Sequence, residues 1–278
     1  MEHSKPSQNS KPNNKGNNNK DVKPPKRYES HNMNYIFHVE YFEHLQTWLE
    51  GENEADQYNK GIEQFRFSVE SPTEEWSKID GYGSFTLKTC YPGLLIGTGN
   101  PHDISVKAAI KGGFSFDPVT GLPYVPGSSL KGVLRSCFPS GKDKESAGEH
   151  EAYIRSLIEM IKADDQTAST FDVKALEKDI FENNDIFFGG YPCNYQGNSL
   201  LAMEYITPHN QGKFANPVPI SLIKVKPDVS FEFGFLFTDY VEDGKVFSSA
   251  DKLELMKQLI LDMGIGAKTN VGFGKFLE

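Results

Sequence analysis

The chain has 278 residues and a formal net charge of −9, with 29 Lys plus Arg against 38 Asp plus Glu. That length suffices for one large domain carrying an insertion, and no run of about 18 apolar residues marks a transmembrane helix. Three widely spaced cysteines, Cys90, Cys137 and Cys193, argue against a disulfide framework or a zinc knuckle; with no apolar leader at the start, a reducing cytoplasm is the expected compartment.

Residues 1–30 are dominated by Asn, Lys, Pro and Ser and carry seven basic and three acidic side chains. So little apolar surface predicts a disordered polar basic tail, either an arm toward a polyanion or a solubilising extension. A helical extension is expected over 31–81. Within it, Ile36, Val39, Phe42, Leu45 and Leu49 follow helical spacing over 35–50, closed by Gly51. Phe65, Phe67 and Val69 alternate and predict a short strand over 62–69.

Residues 82–97 are rich in strand formers, with a turn at Pro92-Gly93. A loop-like stretch follows to residue 127. Leu130, Val133, Leu134 and Cys137 then define one helical face, with Ser128 expected as N-cap and Pro139 as terminator. Residues 142–185 read as a charged helical insertion forming a surface subdomain. Its two apolar stripes are Ile154, Leu157, Ile158 and Ile161, then Val173, Leu176 and Ile180.

Strands are expected at 199–206 and 218–226. At 229–237, Phe231, Phe233, Phe235 and Phe237 share one face of a strand. A helix over 249–263 should turn Leu253, Met256, Leu259, Ile260 and Met263 inward and stop at Gly264; a strand over about 270–277 closes the chain. Without the insertion and loops, the order from residue 82 is βαββαβ. The expected class is α+β, ferredoxin-like (RRM-like), with the domain spanning 31–278.

The most distinctive motif is Gly121–Arg135, a Pro/Gly loop feeding a helix N-terminus. Free N–H groups, the Ser128 and Ser129 hydroxyls and the Lys131 ammonium suit a phosphate, with Arg135 one turn beyond; a capped structural helix is the alternative. Ser128–Lys131 also fits S-x-x-K, but the acyl-transfer companions are missing. In Gly264–Phe276, a glycine-rich loop, Lys268, Thr269, Asn270 and Lys275 offer contacts to phosphate or sugar, yet no Walker A or dinucleotide fingerprint is met. Asn100 and His102 sit in a third small loop, and His209 in a fourth. No carboxylate stands at ligand spacing from them, so no metal or other cofactor is expected.

Charge is unevenly spread. Residues 31–99 carry four basic and eleven acidic side chains, and 142–185 carry six and twelve, whereas 100–141 carry four and two. The stretch with the phosphate-ready motif is therefore locally basic inside an acidic protein.

Taken together, Leu122–Arg135, Gly264–Phe276 and the ferredoxin-like order resemble the RAMP superfamily of CRISPR-associated proteins. The stretches Gly97–His102, Glu204–His209 and Asn216–Ile220 narrow the resemblance to the family of sixth subunits of type III-B (Cmr) effector complexes. The resemblance covers about 82–278. It implies a non-catalytic RNA-binding subunit that caps the 3′ part of the CRISPR RNA. Implied partners are CRISPR RNA, target RNA, the backbone RAMP subunit, the small helical subunit and the first subunit, with no membrane. It further implies that Ser128, Ser129, Lys131 and Arg135 face guide RNA, with the Lys268–Asn270 loop packed beside them. Asp103 and Asp117 are loop aspartates that nothing marks as catalytic. The alternative is a RAMP-type endoribonuclease processing CRISPR RNA, with His209 as its acid or base.

Overall fold

A computed structural model of the chain describes residues 25, 27–43, 54–97, 106, 108–140, 146–163, 170–183, 185–207 and 219–278. The 1–24 part of the polar tail lies outside the described residues, as do Asn100, His102, Asp103, His209 and the second half of the 35–50 helix.

The first helix, α1, is α-helical at Met33–Tyr35, π-helical at Ile36–Glu40 and α-helical again at Tyr41–Glu43. Its inward side chains are Met33, Ile36, Phe37, Glu40 and Tyr41, whereas Val39 is exposed. The inward stripe is thus displaced from the expected Ile36/Val39/Phe42 face. Glu40 can face inward because its carboxylate accepts the Glu29 and Ser30 N–H groups, at 2.6 and 3.2 Å. Helix α2 spans Glu54–Gln64 and α3 spans Thr73–Trp76. No strand forms over 62–69: Ile62 belongs to α2, and Phe65 and Phe67 pack edge-on in the segment after it.

The main sheet has five strands: β1 (Tyr82–Thr89), β2 (Val125–Pro126), β3 (Ile186–Pro192), β6 (Ser230–Leu236) and β9 (Phe276–Leu277). Their order is β2-β3-β6-β1-β9, and every pairing is antiparallel. Helix α4 (Gly127–Ser136) lies between β2 and β3 in sequence, and α7 (Ser249–Met263) between β6 and β9. Strand β3 corrects the sequence expectation. Gly189, Gly190 and Pro192 resemble turn residues, and they conceal a strand that pairs with both β2 and β6. The glycines are there for space. A Cβ at Gly190 would overlap the Phe233 ring. The strands foreseen at 199–206 and 218–226 form as β4 (Leu201–Ile206) and β5 (Ile220–Val225), but as a separate antiparallel hairpin. A second hairpin, β7 (Tyr240–Glu242) and β8 (Lys245–Phe247), precedes α7.

Most of the core sits on one face of the sheet; on the other, Trp76 stacks on Phe188 and meets Tyr191 edge-on. Phe231, Phe233, Phe235 and Phe237 are all buried, as the two-residue period of β6 requires. Each such burial is worth about 1.5–3 kcal/mol. Helices α5 (Ala147–Ile161) and α6 (Val173–Glu182) bury Ile154, Leu157 and Ile158, and Val173, Leu176 and Ile180. All these side chains belong to the same apolar cluster as the sheet. The helices expected as a surface subdomain are therefore part of the main core.

Helix α7 opens with a capping box, Ser248 and Asp251 each accepting the other's backbone N–H. It turns Lys252, Leu255, Met256, Leu259 and Ile260 inward, and Met263 is exposed. The expected stripe is thus shifted toward Leu255. The final strand is shorter than expected, because a 3-10 turn at Thr269–Val271 takes up part of the 270–277 stretch. No helix among the described residues is long and apolar enough to cross a membrane.

Candidate nucleic-acid interface

Helix α4 starts two residues earlier than an N-cap at Ser128 predicts. Pro126 holds the N-cap position and no side chain caps the first turn. Proline suits this boundary because its ring favours an extended entry. Gly127 allows the helix to begin against β3: a Cβ there would overlap the Phe187 carbonyl oxygen. Ser128 and Ser129 are consequently first-turn residues, and both are exposed. Their hydroxyls and the uncapped N–H groups face the region of partial positive charge at the helix start.

Lys131 is half-buried, with its ammonium 5.3 Å from the centre of the Phe187 ring. Among the described residues it has no carboxylate partner. Arg135 differs. Its guanidinium lies 2.5 Å from Glu182 and 3.8 Å from the buried Glu177, tying α4 to α6. Glu177 also accepts the Ser140 N–H at 3.0 Å through its other oxygen. The fold thus already uses the charge of Arg135.

The glycine-rich loop divides in the same way. Lys275 donates to the Asp262 and Met263 carbonyls, at 2.8 and 3.1 Å, and so caps the C-terminus of α7. Lys268 is exposed, has a positive φ of 61°, and lacks a carboxylate partner among the described residues. Asn270 is exposed beside it and Thr269 is half-buried. The loop is rigidly placed by main-chain bonds: Ala267 N–H to Leu95 at 2.8 Å, Gly274 N–H to Gly93 at 2.9 Å, and Cys90 N–H to the Lys275 carbonyl at 2.8 Å.

The two motifs join the main sheet at different strands. The helix-entry motif begins at β2, one edge of the sheet, and the glycine-rich loop leads into β9, the other edge. Four strand spacings of about 4.8 Å separate the edges, roughly 19 Å across the sheet. Sequence patterns also pass over two exposed side chains near the loop, Lys88 and Tyr91. The sole hint is an aromatic residue at the head of a Pro-Gly turn.

One other candidate residue has a structural role. Asp117 organises its own loop: one carboxylate oxygen accepts from Val119 and Thr120, the other from the Tyr191 hydroxyl at 2.9 Å. Among the described residues, no group of three His, Cys, Asp or Glu side chains is placed to hold a metal ion.

The family model of the RAMP superfamily matches residues 86–277, and the chain belongs to that superfamily. The chain is similar to CRISPR system CMR subunit Cmr6 of Saccharolobus solfataricus, 29% identical over 174 residues covering 61% of this chain and 50% of that relative. It is also similar to CRISPR system Cmr subunit Cmr6 of Pyrococcus furiosus, 24% identical over 205 residues covering 57% of this chain and 58% of that relative. The chain thus spans about half the length of the curated relatives it matches. Among solved structures, a chain in the cryo-EM structure of the type III-B Cmr-beta bound to cognate target RNA shares the fold. Its TM-score is 0.51 at 22% identity, over 84% of this chain and 72% of that one. The resemblance carried by the motifs is borne out at this level.

Proposed function

We propose that this chain is a non-catalytic, RNA-binding structural subunit of a type III-B (Cmr) effector complex, capping the 3′ part of the CRISPR RNA. In this reading its sheet is ferredoxin-like: β1, β3, β6 and β9 serve as the four strands, and α4 and α7 as the two helices. Its partners are CRISPR RNA and target RNA, the backbone RAMP subunit, the small helical subunit and the first subunit, in the cytoplasm.

The observation that carries the proposal is the state of Lys131. A cation just beyond the first turn of an uncapped helix that opens with two exposed serines is left without a carboxylate partner among the described residues. Such a helix start suits a phosphate oxygen. Lys268, Thr269 and Asn270 supply a second contact of the same chemistry at the opposite sheet edge. Membership of the superfamily and the Cmr names of the relatives support the assignment.

The test is assembly of the complex with Lys131→Glu combined with Lys268→Glu. The expected result is reduced crosslinking of this subunit to guide RNA, or failure to incorporate, with an unchanged melting temperature for the free chain. Unchanged crosslinking and assembly would overturn the assigned surface. Because contacts to phosphate release counterions, crosslinking should also fall steeply as salt rises.

A further inference from the structure

At the β9 edge, the segment after β1 runs against the glycine-rich loop. Cys90 donates to the Lys275 carbonyl at 2.8 Å and Gly274 donates to the Gly93 carbonyl at 2.9 Å. Tyr91 lies between these two anchor points. Its side chain is nevertheless 84% exposed. On the facing loop, Val271 is 68% exposed. The residues adjoining these two approach each other, since a Cβ on Gly272 would lie 3.6 Å from the Pro92 ring. Tyr91 and Val271 thus project from one rigid rim.

Two cations flank this rim. Lys88, near the end of β1, is exposed three residues before Tyr91, and Lys268 is exposed three residues before Val271. Among the described residues neither has a carboxylate partner. An aromatic ring left to water on an anchored backbone, between unneutralised ammonium groups, has the makeup of a single-strand contact. Bases stack on the ring and the backbone phosphates pass the cations. A protein-docking patch would instead require contiguous apolar surface, and here a single aromatic ring and one valine stand among charges.

We infer that Tyr91 is a nucleobase-stacking residue for single-stranded RNA, with Lys88 and Lys268 taking the adjacent phosphates. The inference rests on the RNA-binding proposal and adds to it two residues outside both sequence motifs, Tyr91 and Lys88. Stacking on one aromatic ring is worth about 1–3 kcal/mol per base, roughly 5- to 150-fold in affinity.

The experiment uses the full chain at low salt with a single-stranded RNA bearing 2-aminopurine, read by fluorescence quenching and by anisotropy. Wild type and Tyr91→Phe should bind with equal quenching. Tyr91→Ala should lose the quenching and bind at least fivefold more weakly, with an unchanged melting temperature. Equal binding and quenching by Tyr91→Ala and wild type would overturn the stacking role while leaving the RNA-binding proposal intact. Wild type that binds no RNA even at low salt, with no crosslink in the assembled complex, would overturn both. Tyr91→Ala that binds RNA normally but fails to enter the complex would make this rim a protein contact, and overturns the inference.

Discussion

The Lys252 ammonium lies 2.7 Å from the Asp185 carboxylate, and neither side chain is exposed to solvent. A second carboxylate, Asp179, stands 2.6 Å away on α6. Asp185 also accepts the Thr238 N–H and hydroxyl, at 2.9 and 3.1 Å. One buried cation thus joins α7, α6 and the segments flanking β3 and β6. Replacing Lys252 by Met leaves Asp185 buried without its counter-ion, at a cost of about 3–5 kcal/mol. Urea denaturation measures it; a wild-type midpoint for Lys252→Met would show that the cluster contributes nothing. Asp179→Asn should cost less, because that carboxylate retains some contact with water.

Lys131 and Arg135 should respond to mutation in opposite ways. Arg135→Gln strips the buried Glu177 of its cationic partner among the described residues, so stability should fall by about 1–3 kcal/mol with little change in RNA crosslinking. The exposed Glu182 bridge adds little to that figure. Lys131→Gln should leave stability within about 0.5 kcal/mol and reduce the salt slope of RNA binding by about 1. Thermal melting and salt titration of the same two variants separate the roles.

The two glycines of α4 make a third contrast. Gly127→Ala forces a methyl into the Phe187 carbonyl and should destabilise by about 2 kcal/mol or more. Gly132→Ala meets nothing within 4 Å. In a helix interior it should stabilise the free chain by about 0.5–1 kcal/mol. If Gly132→Ala nonetheless impairs RNA crosslinking, the open face at that position is needed by the bound strand.

Alkaline pH should weaken the fold. Burial pushes the Cys137 thiol up to about 11 from its ordinary 9.0. The folded chain therefore holds this proton more tightly than the unfolded chain. The thiol's contribution is complete below pH 9 and is lost as pH rises toward about 11. Burial likewise raises Tyr195 to about 12. Chemical denaturation from pH 8 to 11 should show falling stability, with a shallower decline in Cys137→Ala. For the same reason, iodoacetamide should leave Cys137 unmodified in the folded chain at neutral pH.

Where one periodicity dominated a segment, the fold was legible from sequence. The alternating phenylalanines of β6 and the Leu130–Cys137 face of α4 are examples. Strand β3 was not, because its glycines are needed to clear the Phe233 ring and the Val125 backbone, and glycine pairs ordinarily signal turns. The inward stripe of α7 was misplaced by Lys252, which is buried only because two distant aspartates meet it there. The candidate site was legible in part. Ser128, Ser129, Lys131 and Lys268 are accessible cations and hydroxyls as their motifs imply. Arg135 and Lys275 carry the same chemistry in sequence, but their charges are taken by Glu182 and by the end of α7. Which cation stays available is settled by tertiary neighbours, and motifs are blind to these.

The separation of the two motifs across the sheet has a kinetic meaning for the proposed subunit. A strand held at one edge offers its other segment to the far edge at high effective concentration, so two weak contacts act as a chelate. An oligonucleotide too short to bridge roughly 19 Å engages one edge at a time and dissociates quickly. Affinity should therefore rise abruptly, rather than in proportion to added nucleotides, once the RNA is long enough to reach both edges.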